Sequence, residues 1–386
     1  MMKAFVFAAL LACAGAAGLV SSTLHYTAAG AARQRAQAET VIPLEGLDPV
    51  LLVQGKEAQG DEKFAVTRGR FRYLFAGAET RAAFEQEPAR YEIQLGGTCA
   101  RMGPGTQGDP DLYWVYKGRI YLFGSPACLT AFKAAPESFL EPEAAPVLKP
   151  AASAESLQKG RALLEKAVEA AGGAAKLDAL VSYQEKGTTA RQTQQGVAEM
   201  KTALYIVYPD KLRQERAFPF GTMANVVGPA ESFFAMPRDA HDMTPEQRAA
   251  FQGQVKRSLL HVLRARKGAG FTAAATGAAR VGDVNVEQVA VTFEGVSMVL
   301  GVDSSTGRVH TLSYRGRGPG GAFGEIVQTF SDFRAVEGLT LPFKTAATFN
   351  GVAEPSLSFT AESIVVNGAV PPALFERPKP AAATQQ

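Results

Sequence analysis

The chain has 386 residues, 40 of them Lys or Arg and 37 Asp or Glu, for a net charge of +3 without a basic run. Nucleic acids are held by clustered Lys and Arg, so this even balance excludes DNA or RNA as a partner. The length predicts two or three domains with room for hydrophobic cores, and cysteine is scarce: Cys13, Cys99 and Cys128.

At the start, Met1-Met2-Lys3 precedes an apolar run over 4–20 that thins into Ala and Gly. A short basic start, a hydrophobic stretch and small residues beyond it form an export signal. Three outcomes stay open: cleavage before Glu39, lipidation of Cys13 after Leu10-Leu11-Ala12, or retention of 4–24 as a membrane tether. That last stretch lies at the lower limit of about 17 to 25 residues for a spanning helix. The rest of 1–40 is a linker, and export places the mature chain in the periplasm or cell envelope.

Residues 41–140 contain an internal repeat. Tyr73-Leu74-Phe75 returns as Tyr121-Leu122-Phe123, Ala83-Phe84 as Ala131-Phe132, Pro88 as Pro136 and Tyr91 as Phe139, all at one offset. Each unit reads as two strands around an Arg-Gly or Lys-Gly turn, then a short helix ending near the proline. Two copies predict a duplicated ββα module, since a solenoid requires at least three repeats. Cys99 and Cys128 remain after the signal, and an isolated pair in an exported chain reads as a disulfide. Ser125-Pro126 is an N-cap and first-turn pair that puts Cys128 at a helix N-terminus, where a thiol is drawn toward thiolate. The competing reading is a metal or redox thiol pair, with Met102 as a further soft sulfur for copper.

Leu47-Asp48-Pro49-Val50, Tyr73-Leu74-Phe75, Ala83-Phe84, Pro88, Tyr91 and Gly96-Gly97-Thr98-Cys99 resemble a YHS domain over about 45–140. The metal-binding members of that family carry three cysteines. The corresponding positions are Leu51, Ala76 and Thr80 in the first unit and Cys99, Gly124 and Cys128 in the second. The resemblance therefore implies two surviving ligands, Cys99 and Cys128, for a copper or zinc ion.

A Pro- and Ala-rich linker over 141–152 leads to the second half, 153–378, followed by a tail at 379–386. A helix is predicted over 156–171, with Leu157, Leu164, Val168 and Ala171 on one stripe and Gly172-Gly173 as its stop. Strands follow at 181–190 and 197–208, joined near Gln194-Gln195-Gly196, then at 211–218 and as a pair within 226–236 that carries Phe233 and Phe234. Thr244, Pro245 and Gln247 form a capping box that opens one helix to Arg266, with Phe251, Val255, Leu259 and Val262 on a single face. Strands resume at 284–293 and 297–302. Over 301–349 strand-like runs alternate with tight turns, which predicts an antiparallel meander. Leu341, Phe343, Thr345, Ala347 and Phe349 share one face of its last strand. The loop Gly316-Arg317-Gly318-Pro319-Gly320-Gly321 opens no helix, so it reads as a mobile hairpin loop rather than a phosphate cradle.

No catalytic constellation emerges. His241, His261 and His310 show no ligand spacing, and no Gly-x-Ser-x-Gly elbow is present. The chain is therefore read as a non-enzyme without a resident cofactor, a metal ion being the one alternative.

The turn Val302-Asp303…Thr306-Gly307, the run Thr329-Phe330-Ser331-Asp332-Phe333, Gly338-Leu339-Thr340-Leu341-Pro342-Phe343 and the closing Glu362-Ser363-Ile364-Val365-Val366-Asn367 resemble the LolA-like superfamily of envelope lipoprotein carriers over about 153–378. That resemblance implies a half-open antiparallel β-barrel with covering helices and a concave apolar face for acyl chains. The whole is thus an α+β protein, a YHS-like module followed by a LolA-like domain. The function implied is binding of an acyl chain, lipid or lipidated partner. Metal handling through the first module and an interaction scaffold are the alternatives. Candidate lipid contacts are Phe233, Phe234, Phe251, Val255, Leu259, Val262, Leu341 and Phe343, residues that would serve equally as ordinary core.

Overall fold

The computed structural model describes residues 40–141, 152–193, 196–237 and 239–378. The export signal or tether, Cys13, most of the 141–152 linker, Gln194-Gln195 and the 379–386 tail lie outside the described residues. Within them no helix is long and apolar enough to cross a membrane.

The first region is built on Asp48, a buried carboxylate whose Oδ1 accepts from the backbone N–H groups of Val50 and Leu51 at 2.8 and 3.2 Å. These bonds and Pro49 at the first position start helix α1 (Pro49–Val53). The other oxygen accepts from Ala76 N–H at 2.8 Å, tying that helix to the end of the next hairpin. Strands β1 (Asp61–Arg68) and β2 (Phe71–Phe75) pair antiparallel, followed by helices α2 (Ala78–Gln86) and α3 (Pro88–Tyr91).

Further along, β3 (Thr98–Cys99), β4 (Gly103–Gln107), β5 (Asp109–Tyr116) and β6 (Arg119–Phe123) form a four-stranded sheet of order β4-β3-β6-β5, and α4 (Pro126–Ala134) follows. The residues that match in sequence hold matching places. Phe84 of α2 packs on Tyr73 and Phe75, both at 5.0 Å between ring centroids. Phe132 of α4 packs on Tyr121 and Phe123 at 5.8 and 5.1 Å. The second strand pair is not a separate hairpin, however. Ile120 and Leu122 enter the same core as Phe75 and Phe84, so the two halves share their packing.

In the second region Ser153 caps α5 (Ala154–Ala170), which buries Leu163, Leu164, Ala167 and Val168, and α6 (Ala174–Asp178) follows. The strands are β7 (Ser182–Thr193), β8 (Gly196–Val207), β9 (Lys211–Phe218), β10 (Gly221–Val227), β11 (Ser232–Ala235) and β12 (Ala240–Asp242). Helices α7 (Pro245–Lys256) and α8 (Leu259–Ala265) intervene. Then come β13 (Thr272–Val281), β14 (Val284–Phe293), β15 (Val296–Asp303), β16 (Val309–Arg317), β17 (Phe323–Val336), β18 (Leu339–Phe349), β19 (Val352–Ala353) and β20 (Phe359–Val366).

These strands make one 14-stranded antiparallel sheet that runs β12-β11-β10-β9-β8-β7-β20-β18-β17-β16-β15-β14-β13, with β19 appended to β18. Its two ends are not paired with each other, so the sheet is open. The predicted meander is present as β15 to β18 in chain order. Asp303 accepts from the hydroxyls and N–H groups of Ser305 and Thr306 in the first of its turns. Those bonds hold its carboxyl well below the usual carboxylate range.

Helix α5 lies on β13 at the spacing of Gly160, where any Cβ would meet the backbone of Ala273 and Ala274. With α8 it covers Val289, Val291, Leu300, Val302 and Leu312, all essentially without exposure, and this is the main core.

One expectation is corrected and another is refined. The helix predicted over 244–266 is two helices, because Ser258 takes an extended conformation (φ −76°, ψ 143°) between α7 and α8. Phe251 and Val255 on α7 therefore pack with Ile206, Leu212 and Val227, while Val262 on α8 enters the main core. The glycine loop 316–321 does join the β16–β17 hairpin, but it packs against the first region instead of standing clear. At Gly321 (φ +89°) a Cβ would overlap the carbonyl oxygen of Arg101, and the missing side chain lets the two regions touch there.

Candidate functional site

The concave face of the large sheet is only partly filled. Beside the main core lies a cavity of about 870 Å³, lined by β7, β8 and β9 on one side and β16, β17 and β18 on the other. Strands sit roughly 4.8 Å apart, so on a flat sheet β9 and β16 would be about 29 Å from each other. Sharing one cavity therefore requires the sheet to curl. Helix α7 and the start of α8 form its roof through Ala250, Gln254, Arg257 and Leu259.

Strand register sets what faces inward. Tyr183, Ile206 and Leu212 form one cross-strand row. Glu185, Leu204 and Gln214 form the next, and Gly187, Thr202 and Arg216 the third. Alternation puts Leu212, Gln214 and Arg216 on the inner face of β9. On its outer face Arg213 pairs with Glu215 at 2.6 Å and donates to the Leu374 carbonyl at 2.7 Å. The opposite wall is supplied by Tyr314, Ile326, Gln328, Phe330, Leu341 and Thr345.

The walls are apolar at one end and polar toward the other. Tyr183 donates its hydroxyl to Glu185 at 2.5 Å. Desolvation raises the Glu185 carboxyl above its ordinary value, an effect the Tyr183 hydrogen bond only partly offsets. Burial likewise lowers the Arg216 guanidinium. Arg317 donates to the Gly321 carbonyl at 2.8 Å and to that of Arg101 at 3.4 Å. Arg257 lies over the Tyr314 ring at 5.2 Å. The first region reaches the rim: Leu95, Thr98 and Pro104 line it, and Gln247 of α7 donates to the Pro104 carbonyl at 2.7 Å.

Of the eight candidate lipid contacts, Leu259 and Leu341 line the cavity. Phe251 and Phe234 pack on each other at 5.7 Å beside Val255, and Val262 and Phe343 belong to the main core. Phe233 sits on the outer face with Phe375, beneath the Arg377 guanidinium at 4.8 Å. Sequence reasoning missed Glu185, Thr202, Leu204, Gln214 and Arg216. A signal was present in β9, whose Arg213, Gln214, Glu215 and Arg216 place polar groups on both faces. Such a strand does not sit against a fully packed core.

Cys99 and Cys128 are buried close together but are free thiols, which corrects the expected disulfide. Burial raises the Cys128 thiol, but hydrogen bonds involving Ser125, Arg101 and Cys99 outweigh it and leave the thiol below its ordinary value. The Arg101 guanidinium lies 3.3 Å from the Met102 sulfur and 3.9 Å from the Cys128 sulfur. A guanidinium that close to both sulfurs repels a copper or zinc cation, which weighs against a metal there. Among the described residues no group of three His, Cys, Asp or Glu side chains is placed to hold one.

No family model matches the chain, and no curated protein does; neither comparison supports the YHS-like resemblance. Solved structures do align. A LolA superfamily protein from Nitrosomonas europaea is 14% identical over 56% of this chain and 97% of its own, with a TM-score of 0.38. A domain assigned to outer membrane lipoprotein sorting from Vibrio parahaemolyticus is 10% identical over 57% and 97%, at 0.36. A DUF1329 family protein from Desulfovibrio piger is 11% identical over 56% and 97%, at 0.34. At such identities and scores the functional reading stands on the cavity's own geometry.

Proposed function

We propose that this is an exported, non-catalytic binding protein whose second domain, 153–378, is a LolA-like half-barrel holding an acyl chain. The first domain, about 41–140, is a duplicated ββα unit of YHS-like kind that has lost its metal and serves as the collar of the barrel. The observation that carries the reading is the cavity itself. At about 870 Å³ it falls in the range of small-molecule sites. Its apolar lining comes from both walls, Leu204 and Ile206 on one and Phe330 and Leu341 on the other, and the latter two belong to the main core. The curled sheet and the two-helix roof support the half-barrel reading, and the shared aromatic arrangement around Phe84 and Phe132 supports the duplication.

Thr202 is the side chain to alter. It lies on β8, in the third row of the inner face beside Arg216, so Thr202→Trp fills the space without entering a packed core. Titration of a fluorescent fatty-acid probe into wild type and Thr202→Trp tests the reading. Saturable binding by wild type that the variant loses, with melting temperatures alike, is the expected result. No saturable binding by wild type rejects the carrier.

A further inference from the structure

We infer that the cavity selects amphiphiles with an anionic head, a carboxylate or a phosphate, and that Arg216 is the residue that holds it. The inference rests on the carrier reading above and adds the chemistry of the headgroup.

Six other charged side chains line the cavity: Glu141, Glu185, Glu246, Arg257, Arg315 and Arg317. Three of them have visible work. Arg317 is tied to two carbonyls, Arg257 covers an aromatic ring, and Glu185 takes the Tyr183 hydroxyl. Arg315 sits directly across from Glu325 on β17. Arg216 differs from these. Among the described residues it makes no hydrogen bond and no ion pair, yet it is held on the inner face of β9 and is desolvated enough to lower its pKa. A guanidinium partly withdrawn from water and without a protein acceptor is stabilised when a bidentate oxyanion arrives.

The surroundings fit such a ligand. Gln214 is two residues away on the same face and accepts from Asn225 Nδ2 at 3.3 Å, leaving its own amide N–H groups for a second contact. Thr202 stands directly beside Arg216 across the β8–β9 register. The nearest inward carboxyl along the β7–β9 rows, Glu185, stands one row from Arg216 and is already engaged by the Tyr183 hydroxyl, and burial raises its pKa. From Arg216 the rows lead through Leu204 to Ile206 and Leu212, where the Tyr183 hydroxyl is the one polar group of the row. Head and tail thus have separate places within one cavity.

The test uses the full chain and three ligands sharing one tail: palmitic acid, hexadecyl phosphate and hexadecanol. Each competes with the fluorescent probe on wild type, Arg216→Gln and Arg216→Lys. For wild type the acid, the phosphate or both should bind at least about tenfold more tightly than the alcohol, a difference of about 1.4 kcal/mol. Which of the two leads separates a fatty-acid from a phosphate headgroup. Arg216→Gln should bring all three to within about twofold, with Arg216→Lys restoring part of the preference as a point charge. Hexadecanol binding as tightly as the anions in wild type overturns the headgroup inference and leaves the carrier reading intact. A preference that survives in Arg216→Gln overturns the role of Arg216. Binding of none of the three overturns both readings.

Discussion

The inner face of the large sheet has two ends that differ in what covers them. At the β13–β15 end, α5 and α8 lay Leu163, Leu164, Val168 and Val262 onto Val289, Val291 and Leu300 in one buried cluster. At the β7–β9 end the roof is α7, whose Phe251 and Val255 turn toward Ile206, Leu212 and Val227. The same antiparallel pairing and the same inward–outward alternation run through both ends. What separates a core from a cavity is the side chains offered by the roof and the polar groups placed on the wall. Burial costs Gln214, Glu185 and Arg216 their water, so an apolar roof cannot close on them.

That contrast can be broken by truncation. Leu300→Ala, at the filled end, should cost about 3 to 5 kcal/mol, because a cavity must be opened in close-packed surroundings. Leu204→Ala, facing space that already exists, should cost less than about 2 kcal/mol, since only the transfer of the side chain is lost. Chemical unfolding of the two variants beside wild type gives the numbers. Equal costs would mean that the two ends are packed alike. Phe251→Ala belongs with the filled group despite its place on the roof, and should cost about 3 to 5 kcal/mol.

Much of this division was legible in the sequence and some was not. The capping box at Thr244, the meander over 301–349 and the apolar face of β18 follow from local patterns, and all three are present. The break at Ser258 was not legible. No proline or glycine marks it, and the apolar spacing of Phe251, Val255, Leu259 and Val262 suits one helix as well as two. Tertiary packing decided it, by giving Phe251 and Val262 different partners. The site itself was hidden for a related reason. Large apolar residues such as Phe233 and Phe343 look the same in a core and in a pocket, whereas Arg216 declares itself only once register puts it indoors. The glycine loop was legible as a hairpin connection, but the approach of Gly321 to the Arg101 backbone was not, because that contact lies between distant parts of the chain.

A smaller effect sharpens the polar side of the comparison. The folded-state pKa of Glu185 is raised by desolvation, so the folded protein binds more protons than the unfolded chain above about pH 4.3, the ordinary glutamate value. Stability should then fall as pH rises from that value through the raised one. Glu185→Gln removes this slope. Melting curves across the window should show wild type losing ground to the variant with rising pH, and parallel curves would place Glu185 in an unstrained setting.

The smallest expected effect concerns the first region. Both thiols are free and buried, with Cys99 at no exposure and Cys128 at 8%. Alkylation of native protein followed by peptide mapping should label Cys128 before Cys99, and alkylation after unfolding without reductant should label both. An intact Cys99–Cys128 disulfide in the mapped peptides would contradict the free-thiol arrangement.

The most direct test of an acyl-holding half-barrel is native mass spectrometry of the full chain purified from a bacterial envelope without detergent. Wild type should carry one amphiphile per chain, recovered by organic extraction as a compound with an acyl tail, and Thr202→Trp should travel at its bare mass. Wild type at its bare mass, taking up no acyl compound on incubation, would contradict the account.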